Sequence, residues 1–160
     1  FWWVGGFLAS WVIAYGIVQS LAPMITGKAS GKTPDGRAAL WWAIGLAIVT
    51  GGIAVALNTA LPAATVLIAG LFLFGAVFAI NSSLHSYLIV SYAKEDGASL
   101  DVGFYYMANA MGRLIGTLLS GWIYQSAGLV ACLWVAMGFI VLTALISIAL
   151  PHTTNIKAHE

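Results

Sequence analysis

Three tracts of this chain contain no Asp, Glu, Lys or Arg: residues 1–27, 38–93 and 114–156. A helix crosses a hydrocarbon core about 30 Å thick with about 20 mostly apolar residues, so each tract is long enough to cross at least once and the middle one twice. The uncharged runs predict an all-α polytopic membrane protein. With 61% of its 160 residues hydrophobic and 7% charged, the chain is excluded from the soluble globular class. A net charge of +1 offers no electrostatic footprint for nucleic acid, and the single Cys132 has no internal disulfide partner.

Charge, Pro and Gly positions and the interfacial preference of Trp and Tyr divide the chain into five expected spans, at about 2–25, 38–57, 63–91, 102–125 and 129–150. The first connector carries Lys28, Lys32, Asp35 and Arg37, with Trp41 and Trp42 one turn inside the span that follows. Asn58 to Pro62 reads as a tight uncharged turn, and Ser126-Ala127-Gly128 as a second one. Lys94, Glu95 and Asp96 stop the third span, Pro151 ends the fifth, and 152–160 is a polar tail. A transmembrane helical region is thus expected over 1–151. The chain starts at Phe1 without the basic region of a signal peptide, and it reads as a piece of a longer protein.

Alternating spans place both charged connectors and the tail on one side, and every Lys and Arg except Arg113 lies there. The positive-inside tendency assigns that side to the cytoplasm, with Phe1 outside.

Arg113 is the one charge deep inside an apolar stretch. It lies 12 residues past Asp101, roughly 18 Å into a helix and so near the bilayer centre. An Arg there costs about 2.5–3.5 kcal/mol on insertion scales, and such residues face a cavity or a partner. No Asp or Glu occurs inside the five expected spans. Two readings therefore stand, an anion site and a structural Arg paired with a carboxylate of other helices. Tyr105, Asn109, Arg113 and Thr117 recur at i, i+4, i+8 and i+12 and share a face. Beside that polar stripe, Ala108, Gly112, Gly116 and Ser120 form a small-residue ladder that admits a close neighbour.

The third span closes on Asn81-Ser82-Ser83-Leu84-His85-Ser86-Tyr87, too polar for a lipid-facing surface. Asn81 and His85 share a face. A His at this depth either binds an oxyanion, carries a coupling proton, or simply makes an interhelical hydrogen bond, the last being the favoured reading. The candidate substrate-binding residues are accordingly Arg113, Asn109, His85, Asn81 and Tyr105. Asn81-Ser82-Ser83 also matches a glycosylation pattern but lies within a span. Gly31-Lys32-Thr33 has the wrong spacing for a phosphate-binding loop and no preceding strand. Asp101 is expected to cap the fourth span rather than to carry a proton. No nucleophile–base pair, metal cluster or cofactor motif stands out, so neither enzyme nor cofactor is expected.

Helix count, connectors and the polar fourth span together resemble the C-terminal half of a major facilitator superfamily transporter, helices 8 to 12. Gly31, Asp35, Gly36 and Arg37 loosely resemble that family's motif between helices 8 and 9. The stretch NSSLHSYLIVSYAKEDGASLDVGFYYMANAMGRLIGTLLSGW, Asn81 to Trp122, more specifically resembles organoarsenical efflux transporters of the ArsJ type, and the likeness extends from Phe1 to about Pro151. The resemblance implies alternating access in the inner (plasma) membrane, with a cytoplasmic C-terminus. It also implies export of 1-arseno-3-phosphoglycerate, arsenate resistance, and a functional partnership with a glyceraldehyde-3-phosphate dehydrogenase. The N-terminal half of the same transporter would complete it. Proton-coupled efflux of a drug or another organophosphate anion is the alternative. A scaffold subunit without transport is a further class, against which the intramembrane Arg argues.

Overall fold

The computed structural model describes residues 2–26, 36–92 and 98–149, and all regular structure in them is α-helical. The order is α1 (Trp2–Ile25), α2 (Gly36–Ala56), α3 (Ala63–Tyr92) and α4 (Ala98–Ser147). All four are long and apolar enough to cross a membrane. The expected limits of the first three spans are met within about two residues. Gly31 and Asp35 of the loose connector motif, the Gly31-Lys32-Thr33 run, Lys94 to Asp96, Pro151 and the 152–160 tail lie outside the described residues.

Where a three-residue turn was expected between two spans, helical backbone continues to Ala127 and resumes at Leu129, so that two helices meet across a kink at Gly128 alone. That residue has φ 82° and ψ −178°, a region essentially restricted to Gly. Ser126 is still helical, its hydroxyl donating to the Trp122 carbonyl at 2.9 Å. The Cys132 thiol donates to the Ser120 carbonyl, twelve residues earlier, at 3.4 Å. In an unbroken helix those groups would be roughly 18 Å apart, so the chain folds back on itself at Gly128. Asp101, expected as a cap, lies instead inside the first turn of a helix that begins at Ala98. Its carboxylate there opposes the positive end of the helix dipole without occupying the cap position.

The uncharged turn between α2 and α3 satisfies the last α2 carbonyls by itself. Leu57 N–H donates to Ile53 O, Asn58 Nδ2 to Ala54 O, Asn58 N–H to Val55 O and Thr59 N–H to Ala56 O, at 2.9–3.1 Å. The Pro62 carbonyl then accepts from Val66 N–H to open α3. With these orphan groups paired, the reversal needs no charged residue.

Packing does not follow chain order, since among the described helices α1 touches only α3, while α2 lies between α3 and α4. Phe7 meets Phe72 with ring centroids 5.5 Å apart and Tyr15 meets Phe78 at 6.0 Å, so α1 and α3 run parallel. Ala39 near the start of α2 clusters with Leu84 and Leu88 near the end of α3, while Gly70 of α3 approaches Ile53 of α2, an antiparallel pair. Trp42 turns into that cluster, whereas Trp41 is 70% exposed.

Glycines mark the tightest crossings. A Cβ on Gly75 would sit 2.7 Å from Trp11 Nε1, on Gly70 2.6 Å from Ile53 Cγ1, and on Gly51 2.8 Å from Met137 Sδ. Trp11 uses the space over Gly75 to donate its indole N–H to the Leu71 carbonyl at 2.7 Å. Close backbone approach through small residues is how membrane helices associate when the surrounding lipid removes the hydrophobic drive.

Candidate functional site

Arg113 stands fifteen residues from the start of α4 and fifteen from the break at Gly128, roughly 22 Å from either end, which is mid-depth for a helix crossing a bilayer. Its side chain is exposed, and no hydrogen bond or ion pair joins its guanidinium to another described residue. Asn109, one turn earlier, is exposed as well, and Tyr105 is half-buried with its ring against Tyr106 at 5.5 Å. Thr117 turns its hydroxyl to the Arg113 carbonyl at 2.8 Å. The stripe is therefore presented outward by α4 along one face. From Gly103 to Ala127 only Tyr105, Leu119 and Ile123 are even half-buried.

The ladder beside the stripe is open too. Among the described residues nothing lies within 4 Å of a Cβ built on Gly112 or Gly116, and the contact at Ser120 comes from Cys132, beyond the kink at Gly128. The glycines that do admit a neighbour are Gly51, Gly70 and Gly75, which the sequence reading did not single out. Their spacing carries no motif, and only the helix rotations reveal them.

Asn81 and His85 belong to a different environment. Asn81 is buried, 9% exposed, and its Oδ1 has no hydrogen-bond partner. It lies on the α3 face that carries Leu84 and Leu88 against Ala39 of α2. His85 is half-buried one turn further on. The interhelical hydrogen bond favoured for His85 is not formed among the described residues. No hydrogen bond joins this pair to Tyr105, Asn109 or Arg113, and α3 and α4 make only slight contact. The five candidates thus form two sets, an outward stripe on α4 and a partly buried pair on α3.

A wide-mouthed hollow of about 660 Å³ lies elsewhere, between the start of α1 and α3, lined by Trp2, Trp3, Phe7, Ile68 and Phe72 among others. Its lining is apolar except at Ser10, whose hydroxyl is already given to the Gly6 carbonyl. No group of three or more His, Cys, Asp or Glu residues suited to a metal ion occurs among the described residues.

These features define a class, an all-helical protein with four helices long and apolar enough to cross a membrane and an Arg presented midway along one of them. No protein-family description, curated protein or solved structure matches the chain.

Proposed function

We propose that the chain is part of a major facilitator type exporter that carries an organic arsenate ester, 1-arseno-3-phosphoglycerate, out of the cell by alternating access. In this reading α4 makes two crossings joined at Gly128, giving five crossings that correspond to helices 8 to 12 of twelve. The charged connectors and the C-terminus face the cytoplasm. A glyceraldehyde-3-phosphate dehydrogenase makes the substrate, and the exporter removes it.

The observation that carries the proposal is the exposed Arg113 at mid-depth, with no protein counter-ion among the described residues and with Asn109 on the same face. A guanidinium presents a planar fork of N–H donors that fits two oxygens of a phosphate or arsenate group, and Asn adds a further donor. Tyr105 extends the stripe by one turn. The likeness of residues 81–122 to organoarsenical exporters supplies the substrate class; the side chains supply only the affinity for an oxyanion.

The test is arsenic retained by arsenate-exposed cells that express the full-length transporter with or without the dehydrogenase, alongside Arg113→Ala and Arg113→Lys at matched expression. Retention should fall only when both proteins are present, Arg113→Ala should abolish the fall, and Arg113→Lys should export less than the parent protein. Efflux that ignores the dehydrogenase would overturn the organoarsenical reading in favour of a drug or organophosphate exporter. Undiminished export by Arg113→Lys would remove the bidentate role.

A further inference from the structure

Ser and Thr in these helices have a habit. The hydroxyls of Ser10, Ser20, Thr26, Thr50, Ser91, Thr117, Ser120, Ser126, Thr143 and Ser147 all donate to a carbonyl three or four residues earlier. That is the usual way to satisfy a hydroxyl in a membrane helix. The exposed Thr65 and Ser99 and the half-buried Ser82, Ser83 and Ser86 on α3 depart from it and make no hydrogen bond among the described residues; of the three half-buried ones, Ser82 and Ser86 lie one turn apart on one face.

Their placement explains why they matter. Gly75, Ala79, Ser82 and Ser86 follow one another at helical spacing on the α3 face that receives Trp11 of α1. The α1–α3 register, Trp11 over Gly75 and Tyr15 against Phe78, brings Gln19 level with Ser82. Gln19 is half-buried, and its amide makes no hydrogen bond either. Four residues on stands Pro23, which has no N–H to give to the Gln19 carbonyl. On the other flank of the same α3 turn is Asn81, whose buried Oδ1 lacks a donor, with His85 between the two flanks. α1 and α2 both pack on α3 without touching each other, and helical spacing puts His85 on the arc of α3 between their two contact faces, with Ser82 and Ser86 at the α1 edge and Asn81 at the α2 edge.

An amide oxygen, two hydroxyls, a second amide and a backbone carbonyl released by proline are thus gathered at one depth, all able to present lone pairs. The hydroxyl and amide N–H groups could turn to an anion, but the unpartnered Asn81 Oδ1 and the Gln19 carbonyl facing Pro23 can only accept, and they would repel it. A divalent cation would lack the carboxylates that such ions use, since the only acidic residue described in the four helices is Asp101, in the first turn of α4. A monovalent cation fits a set of neutral oxygens, as where interrupted helices use freed carbonyls to hold sodium. We propose that the gap between α1 and α2, floored by Asn81, Ser82, His85 and Ser86 and flanked by Gln19, binds a monovalent cation. It stands apart from Arg113 and does not depend on the exporter reading.

Binding of radioactive sodium to the purified full chain in detergent micelles tests this, with unlabelled sodium, methylammonium and choline as competitors. We expect saturable binding near one ion per chain that choline does not displace. Displacement by methylammonium as well as sodium would extend the site to organic amines, whereas displacement by sodium alone would confine it to the inorganic ion. Asn81→Leu should weaken binding at least tenfold, and Asn81→Asp should tighten it several-fold by adding charge. Arg113→Ala should leave it unchanged. If Asn81→Leu does not fold, the Ser82→Ala/Ser86→Ala pair should show the same loss. Lack of saturable sodium binding, or equal binding by the parent chain and the folded Asn81 or serine variants, would overturn the proposal.

Discussion

Gly75→Ala tests how α1 is held. The new Cβ would lie 2.7 Å from Trp11 Nε1, 2.9 Å from Cε2 and 3.1 Å from Cζ2, so the indole must move and lose its 2.7 Å hydrogen bond to the Leu71 carbonyl. Overpacking costs about 1–3 kcal/mol, and an interhelical hydrogen bond in a membrane is worth about 0.6 kcal/mol, at most about 1.7. Ala returns up to about 1 kcal/mol through its higher helix propensity. The net is about 1–4 kcal/mol, or a docking constant lowered roughly 5- to 1000-fold. Because α1 touches only α3, the loss should appear as undocking of that one helix. Cysteines at Phe7 and Phe72, whose rings are 5.5 Å apart, report docking by disulfide trapping as dodecyl sulfate is raised, with Cys132 replaced by Ser. In a Trp11→Leu background the clashing ring atoms are gone, and Gly75→Ala should then be neutral or stabilising by up to about 1 kcal/mol. An equal cost in both backgrounds, or no shift in the trapping midpoint of the single variant, would refute the argument.

Gly128→Ala forces a Cβ into a backbone region that only Gly adopts readily, and it should destabilise the fold-back by about 1–3 kcal/mol; trapping a cysteine at Ser120 against Cys132 would measure it. Gly70→Ala and Gly51→Ala should differ. The β-branched Ile53 that crowds Gly70 has no easy escape, so that change should cost about 1–3 kcal/mol. At Gly51 the neighbour is the flexible Met137, and thermal unfolding should show less than about 1 kcal/mol.

The helices were legible because a tract without charge has few alternatives in length or type. Trp2–Ile25 and Ala63–Tyr92 could be bounded by counting alone. Rotation was not legible, because α1, α2 and the first half of α3 are apolar nearly all round, and the polar stripe of α4 marks an exposed face rather than an inner one. Hence Gly75, which accepts an indole, looked no different from Gly112, which accepts nothing. The same ambiguity hid the division of the candidate site. Asn81 and Arg113 are both rare polar residues at depth, yet α2 covers the face of one and nothing described covers the other. The break at Gly128 was expected three residues wide and proved one residue wide, since glycine alone supplies the needed φ.

The order of packing, α1 on α3 and α3 on α2, has a consequence for biogenesis. A chain threaded into the bilayer from its N-terminus delivers α1 ahead of α2 and α3, but α1 has no contact with α2, which arrives next. Its binding surface, Leu71 to Phe78, emerges only after the α2–α3 hairpin has begun to form through its short turn. The earliest of these three helices is therefore the last of them to find its place, and until α3 arrives the Trp11 indole N–H lacks the Leu71 carbonyl it is given to in the fold.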